Sequence, residues 1–191
     1  QYDGITFYFI DNQRYFGGNT PYGDTRFDIE KFCFFSKAAL SILPSINFKP
    51  DIIHCHDWQT GVLPVYLHTI FRDNNFYDNI KTIMTIHNLR FQGIWDIKTL
   101  QKITNFPDYV FRPTDMEYNK DANMLKGGMV YANYITTVSN SYKNEIQNDY
   151  YGEGLDGVVR QKSGDLYGIL NGIDYNEYNP ETDNEIFSKY N

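Results

Sequence analysis

The sequence is poor in the residues that build disulfide frameworks, metal centres and membrane spans. Its 191 residues include two cysteines and four histidines. Cys33 and Cys55 have no spacing motif, which excludes a disulfide framework and a cysteine-rich zinc site. No run of about 18 apolar residues occurs and no signal-type stretch opens the chain, so we expect neither membrane insertion nor export. A reduced, cytoplasmic protein is the resulting expectation.

Positive charge is also scarce. The chain has 17 Lys and Arg against 24 Asp and Glu, a net charge of -7, and no basic stripe. Nucleic-acid binding is therefore not expected. Aromatic residues are abundant at 17%, with 17 Tyr and 14 Phe, and many lie in polar loops. Such side chains either stack on sugars or bases or are simply half-buried surface residues.

The length suits one domain with a substantial core, and two complete domains are not expected. We therefore treat residues 1–191 as a single domain or a large part of one. The chain begins at Gln1 without Met, and a strand pattern follows almost at once. This beginning favours a fragment of a longer chain.

Alternating strand and helix patterns predict an α/β fold. Buried strands are expected where β-branched and aromatic residues cluster: 5–10, after Pro50, 81–86, 134–138 and from Leu166. Amphipathic or capped segments predict helices at 26–43, at 60–71, from Asn123, and after Ser139. The repeated order favours a Rossmann-like parallel sheet flanked by helices. Residues 90–123 show only short helical pieces, and Gly127 with Gly128 indicates close packing against a neighbouring backbone.

The stretch PDIIHCHDWQTG, residues 50–61, organises the candidate site. Asp57 and Trp58 follow one predicted strand, and His87, Asn88 and Gln92 follow the next. Carboxyl ends of neighbouring parallel strands meet at one edge, where α/β proteins bind ligands. Carboxylate, amide and imidazole groups pair with hydroxyls while an aromatic face covers a sugar. These residues favour a sugar-binding crevice, although each one alone is typical of a solvated loop.

Other chemistries find less support. His54 and His56 share a strand face with Asp57 adjacent, but further ligands are lacking, so we expect no metal. His54 is better interpreted as a packing residue hydrogen-bonded to backbone. A hydrolase elbow of the G-x-S-x-G type is absent. The glycine loops GGNTPYG and YYGEGLDG lack the spacing of nucleotide-binding motifs.

Several motifs occur together in one order: HCHDWQTGVLPVYL, TIHNLRFQG, NMLKGGMVYANYITTVSNSY, YGEGLDGVV and GILNGIDYNEYNPETD. This series closely resembles bacterial glycogen synthase and plant starch synthase. The resemblance covers about residues 5–184 and implies the N-terminal, acceptor-side half of a GT-B fold, truncated at both ends. It implies transfer of glucose from ADP-glucose or UDP-glucose to the non-reducing end of an α-1,4-glucan, with retention and without a metal or other cofactor.

The resemblance also implies roles for individual residues. His87 would hold the donor glucose as positive charge develops at C1, and Asp57 would bind donor or acceptor hydroxyls. Trp58 would line the acceptor side, whereas Asn171 and Tyr22 would lie near the donor sugar. Asn88, Gln92 and Gly93 would complete the substrate-binding turn. The family's small residue after the HDW motif is replaced by Thr60, which should leave the helix start intact.

Two parts of the family pattern are missing from this sequence. The Lys-Thr-Gly-Gly-Leu loop that covers the donor diphosphate would lie before Gln1, and the C-terminal GT-B domain with its basic residues is also absent. We therefore expect the isolated chain to be inactive. A transferase with a different acceptor and a silent glucan-binding module remain as alternatives.

Overall fold

The computed structural model describes residues 3–191 and has an α/β architecture. Its strands are β1 (Ile52–His56), β2 (Lys81–Ile86), β3 (Ile94–Asp96), β4 (Glu117–Tyr118), β5 (Asp121–Asn123), β6 (Tyr134–Thr137) and β7 (Leu166–Gly168). Its α-helices are α1 (Gln13–Phe16), α2 (Thr25–Ile42), α3 (Val62–His68), α4 (Ile97–Thr104), α5 (Met124–Tyr131), α6 (Asn140–Glu145) and α7 (Asp156–Gln161). Short 3-10 helices span Trp58–Thr60, Asn75–Tyr77, Asp108–Phe111 and Ser163–Asp165.

The main sheet has four strands in the order β1-β2-β6-β7, and every pairing is parallel. This confirms the predicted Rossmann-like sheet. The inner strands carry the apolar residues Met84, Ile86 and Ile135, all fully buried, because helices cover a parallel sheet on its faces. Strand β2 occupies the predicted range 81–86. Its central position places the residues that follow it beside those that follow β1.

Helix α2 also confirms its prediction to within one residue at each end. Asp24 begins it by accepting hydrogen bonds from the N–H groups of Arg26 and Phe27, at 3.0 and 3.3 Å. Ile29, Cys33 and Leu40 are fully buried at helical spacing, so one face of the helix enters the core. The helix that follows β1 is shorter than predicted, since a 3-10 turn precedes α3, which ends at His68.

Helices α3 and α5 approach closely through glycine. A Cβ atom on Gly128 would lie 3.0 Å from the Cα atom and carbonyl oxygen of Gly61. A Cβ atom on Gly61 would lie 2.3 Å from the carbonyl oxygen of Met124. The predicted close packing is confirmed for Gly128, whereas Gly127 packs against the side chain of Met116. The backbone that leaves β1 is thereby fixed against α5.

The prediction of a buried strand at 5–10 is wrong. Ile5 forms an isolated bridge and residues 6–10 form no strand. Phe7 is 53% exposed and Phe9 is 88% exposed, so these side chains do not enter the core. An apolar, β-rich run becomes a strand only when a neighbouring strand pairs with it. In the described residues, both ordered sheets are made from later parts of the chain.

Residues 90–123 contain a feature that the sequence patterns did not reveal. A three-stranded antiparallel sheet has the order β3-β5-β4, next to helix α4. Its strands have only two or three residues, too short for a period-two pattern to be visible. The ammonium group of Lys126 is buried against it and donates to the carbonyl oxygens of Pro113 and Glu117 at 2.6 and 2.5 Å.

The remaining sequence predictions concern capping, thiols and membranes. Ser139 caps α6 as predicted, accepting from the N–H of Tyr142 at 2.9 Å. Cys33 and Cys55 are free and buried. Burial raises the pKa of the Cys55 thiol to about 12 and also raises that of Cys33. Within residues 3–191, no helix has the length and apolar character needed to cross a membrane.

Candidate functional site

Asp57 and His87 join the ends of the two neighbouring strands β1 and β2. The carboxylate Oδ1 of Asp57 accepts a hydrogen bond from the backbone N–H of His87 at 2.8 Å. The N–H of Asp57 donates to the carbonyl oxygen of Thr85 at 2.9 Å. Asp57 has a φ of 54°, which is strained for a residue with a side chain. The geometry confirms that the two strand ends meet at one crevice.

A cavity of about 320 Å³ opens at these strand ends. Its lining comprises Tyr22, Asp57, Trp58, Gln59, Asn88 and Phe91. The structure thus brings together four of the residues predicted from the sequence, from three separate segments. The lining combines aromatic rings with hydrogen-bonding groups, which is the combination that suits a sugar.

Trp58 is held in place from two sides. Its ring makes an edge contact with Phe32 of α2, with ring centroids 5.1 Å apart. On the other side lies Gly93, where a Cβ atom would come within 2.4 Å of the indole ring. Gly93 also has a φ of 64°, a conformation that glycine adopts without strain. Gly93 therefore shapes the site by allowing Trp58 to lie against the backbone.

The loop that carries Tyr22 is tied to α2 by a buried ion pair. The ammonium group of Lys31 lies 2.7 Å from the Asp28 carboxylate and also donates to the carbonyl oxygen of Pro21 at 2.5 Å. Asp28 in turn accepts from the N–H of Gly23 at 3.0 Å. These contacts bracket Tyr22 and hold it over the cavity.

Tyr22 is also tied to the segment that follows β1. Its hydroxyl accepts a hydrogen bond from Gln59 Nε2 at 2.8 Å. Gln59 was not predicted as a site residue, and neither was Phe91. Both stand inside the motifs that supplied the predicted residues, HDWQTG and HNLRFQG, so their position in the motif was the available signal.

Three histidines cluster on the exposed side of the strand ends. His56 Nδ1 lies 3.0 Å from His87 Nε2, and the rings of His54 and His56 are 4.2 Å apart. Burial lowers the pKa of both His54 and His56, and the neighbouring imidazoles lower it further. Neutral rings are therefore favoured at neutral pH, and these rings can exchange hydrogen bonds with sugar hydroxyls.

His54 differs in part from its interpretation as a residue bonded to backbone. Its Nε2 lies 2.6 Å from the hydroxyl of Thr85, which is 2.5 Å from the hydroxyl of Thr136. These contacts run across β1, β2 and β6 through side chains. In the described part of the chain, no group of three or more His, Cys, Asp and Glu residues is arranged to hold a metal ion.

The cavity lining does not include four of the predicted site residues, His87, Gln92, Gly93 and Asn171. Gln92 is buried, and its amide donates to the carbonyl oxygens of Leu89 and Glu153 at 3.1 and 3.0 Å while accepting from Asn123 at 2.6 Å. These hydrogen bonds stabilise the turn after β2 from its buried side. Gly93 lies beneath Trp58. Asn171 is exposed beyond β7, and β6 separates that strand from β2.

Comparison with known proteins identifies the fold and the family. The sequence matches the family of the starch synthase catalytic domain over residues 1–161. The glycogen synthases of Lachnoclostridium phytofermentans and Lachnospira eligens are each 60% identical over 191 residues, which is 100% of this chain and 40% of each relative. The catalytic domain of starch synthase IV from Arabidopsis thaliana, bound to ADP and acarbose, is similar with a TM-score of 0.78 and 33% identity, covering 93% of this chain and 36% of that one.

The parallel sheet with its polar crevice thus matches part of the GT-B fold of a starch synthase catalytic domain. More narrowly, the chain belongs to the starch synthase catalytic domain family, as its sequence motifs indicated. It spans about 40% of the length of the glycogen synthases that it matches.

Proposed function

We propose that this chain supplies the acceptor-side half of a glucosyltransferase that extends an α-1,4-glucan at its non-reducing end. The donor in this proposal is ADP-glucose or UDP-glucose, and the second GT-B half completes the cleft. The cavity lined by Tyr22, Asp57, Trp58 and Asn88 carries the proposal, because it combines aromatic faces with groups that bind hydroxyls. Relatives with 60% identity are named glycogen synthases, which supports the same function.

His87 and Asp57 act nearest to the reacting carbon in this proposal. Transfer breaks the bond between C1 of glucose and the diphosphate oxygen and forms a bond from C1 to the oxygen of an acceptor hydroxyl, with retention. The hydroxyl proton passes to the departing diphosphate. Positive charge develops at C1 as the diphosphate leaves. The carbonyl oxygen and ring of His87 stabilise that charge, and Asp57 fixes the backbone of His87 through its 2.8 Å hydrogen bond.

The other residues position the two sugars. The second carboxylate oxygen of Asp57 and the amide of Asn88 bind hydroxyl groups, while Trp58 covers the face of the acceptor. Tyr22 contributes a ring and a hydroxyl that Gln59 orients at 2.8 Å. Gln92 and Gly93 support these residues from below. Asn171 reaches the donor sugar when the second half of the enzyme is present.

The isolated chain is inactive in this proposal. A leaving diphosphate needs cationic groups, and this chain has a net charge of -7. The chain also spans only about 40% of its relatives. Glucose transfer from ADP-glucose to glycogen by the isolated 191 residues provides the measurement. Turnover close to that of the full-length protein would contradict this part of the proposal. The cytoplasmic location expected from the sequence stays a prediction.

Asp57→Asn in the full-length protein tests the assigned chemistry. The amide keeps the shape and an acceptor for the His87 N–H but removes the charge, so we expect kcat to fall about 100-fold or more. Asp51→Asn is the matched control, because Asp51 precedes the opposite end of the same strand and its side chain makes no hydrogen bond or ion pair in the described residues. Equal activity of both variants would refute the role of Asp57.

His87→Ala separates the enzyme from a silent glucan-binding module. Loss of transfer with retained binding of maltooligosaccharide supports the catalytic role. If the unmodified protein transfers no glucose to any acceptor and His87→Ala only abolishes maltooligosaccharide binding, the glucan-binding module is supported. A screen of donors and acceptors with the unmodified protein distinguishes ADP-glucose from UDP-glucose and detects a transferase that uses a different acceptor.

A further inference from the structure

A second cavity lies at the opposite end of the sheet from the candidate site. It has a volume of about 440 Å³, and its lining includes His68, Arg72, Lys81 and Asn133. Lys81 is the first residue of β2, whereas His87 follows the last residue of that strand. At about 3.3 Å per residue, the two sites are roughly 20 Å apart. The second cavity therefore does not belong to the crevice at Asp57.

Positive charge is concentrated around this cavity in an otherwise acidic chain. Burial lowers the pKa of His68, and the nearby charges of Lys162, Lys81 and Arg72 lower it further. These three cations thus lie close to one ring, and no acidic residue contributes to the shift. One acid, Asp78, also lines the cavity. Two lining cations, Arg72 and Lys81, against one lining carboxylate leave a positive excess, to which the nearby Lys162 adds.

The side chains of Arg72 and Lys81 have no hydrogen-bond or ion-pair partner within residues 3–191. Asn133 uses its side-chain oxygen to accept from the N–H of Thr82 at 2.9 Å. Its Nδ2 group makes no hydrogen bond in the described residues, which leaves it as a donor beside the cations. Lys162 is anchored to the carbonyl oxygen of Ala132 at 3.1 Å.

We propose that this cavity binds the phosphate group of a small molecule. A guanidinium group can bind two phosphate oxygens at once, an ammonium group adds a point charge, and an amide N–H binds a further oxygen. Arg72, Lys81 and Asn133 supply these three kinds of donor from three different segments. The cavity shares no lining residue with the crevice at Asp57.

The cavity is larger than a phosphate ion. Its volume of about 440 Å³ falls in the range of small-ligand pockets. Phe71 and Tyr77 form an apolar part of the lining, and the Tyr77 hydroxyl is bonded to the carbonyl oxygen of Leu40 at 3.0 Å. Tyr77 is buried and its ring packs against that of Phe71, so the half-buried Phe71 ring is the apolar surface open to the carbon part of a phosphomonoester. Free phosphate and a phosphomonoester would be recognised by the same donors. Their relative affinities for the protein show which of the two the cavity binds.

Isothermal titration calorimetry on the full-length protein tests the proposal. Inorganic phosphate, glycerol phosphate and uncharged glycerol are titrated separately, with saturating ADP present to fill any nucleotide site. We expect both phosphates to bind and glycerol not to bind. Tighter binding of glycerol phosphate identifies a phosphomonoester site, whereas equal affinity identifies a site for the phosphate ion alone.

Arg72→Gln and Lys81→Gln locate the binding site. Each should raise the Kd for phosphate about tenfold through loss of a charge-assisted contact. Lys102→Gln on α4 is the control, because it removes an exposed cation elsewhere and should leave the Kd unchanged. Absence of binding, or the same Kd in all three variants, would overturn the proposal. Glucose transfer is not the readout, so the result is independent of the proposed function.

Discussion

The imidazole rings of His56 and His87 face each other across the ends of β1 and β2, with His56 Nδ1 3.0 Å from His87 Nε2. A neutral imidazole has one donor and one acceptor nitrogen, so one ring donates and the other accepts. The contact fixes the orientation of the His87 ring whichever tautomer is present. His56 is therefore a positioning residue for the candidate catalytic histidine.

The first prediction concerns this contact. His56→Leu removes the hydrogen bond, and we expect kcat of the full-length protein to fall about tenfold, because removing a positioning contact costs on the order of one hydrogen bond. The KM for glucan should change little. His56→Asn should restore most of the rate, since its amide lies near the position of Nδ1. Equal losses in both variants, or a change confined to KM, would contradict the positioning role.

The second prediction concerns pH and stability. The pKa values of His54 and His56 lie below the ordinary value of 6.5, chiefly because of burial. Between the lowered values and 6.5 the unfolded chain binds more protons than the folded one. The free energy of unfolding should therefore fall as the pH decreases through this window, and this effect should be absent above it.

Thermal unfolding at a series of pH values provides the measurement. As the pH decreases, the Tm of a variant with His54→Asn and His56→Asn should fall by less than the Tm of the unmodified protein. His68, whose pKa is also lowered, remains in both proteins and accounts for part of the decline. Parallel curves for the two proteins would show that His54 and His56 do not contribute.

The third prediction concerns Gly93. An alanine there would place Cβ 2.4 Å from the Trp58 ring and would hold a φ of 64°. We expect Gly93→Ala to reduce the free energy of unfolding by about 2 kcal/mol or more, and to weaken glucan binding by displacing Trp58. Gly164→Ala is the control, because nothing lies within 4 Å of its Cβ position. Similar stabilities of the two variants would argue against the close contact.

The fourth prediction concerns the loop that carries Tyr22. Lys31→Met leaves the Asp28 carboxylate buried without its cation, which should cost about 3 kcal/mol of unfolding free energy. The KM for glucan should rise because the loop loses its anchor. Lys37→Met removes an exposed lysine from the same helix and should change neither quantity. An unchanged KM for Lys31→Met would separate loop anchoring from substrate binding.

The sequence predicted those strands and helices in which the spacing of apolar residues matches the spacing of buried positions. Strand β2 and helix α2 have apolar residues at regular spacing and clear ends, so both were located closely. The run at 5–10 has the same composition as a buried strand but belongs to neither of the two ordered sheets, and composition does not reveal whether a run joins a sheet. Strands β3, β4 and β5 are too short to show a period.

The candidate site was likewise predicted only in part from the sequence. Asp57 and Asn88 could be placed at one crevice because parallel strands align their carboxyl ends. Side-chain direction could not be derived from strand order, so the inward position of Gln92 was not predicted. The bond between Gln59 and Tyr22 joins residues 37 positions apart, and it depends on how a loop folds back. The roles assigned to His87 and Asn171 stay predictions.

The backbone of Asp57 limits which amino acids the site can accept. Its φ of 54° and ψ of -171° lie close to a region that almost only glycine occupies. Glycine would relax that backbone but would lose the carboxylate, whereas most other residues would keep the strain without its compensating bond to His87. Position 57 is thus constrained independently by conformation and by charge. In a saturation library, function should show a single sharp optimum at aspartate, with no graded tolerance of similar side chains.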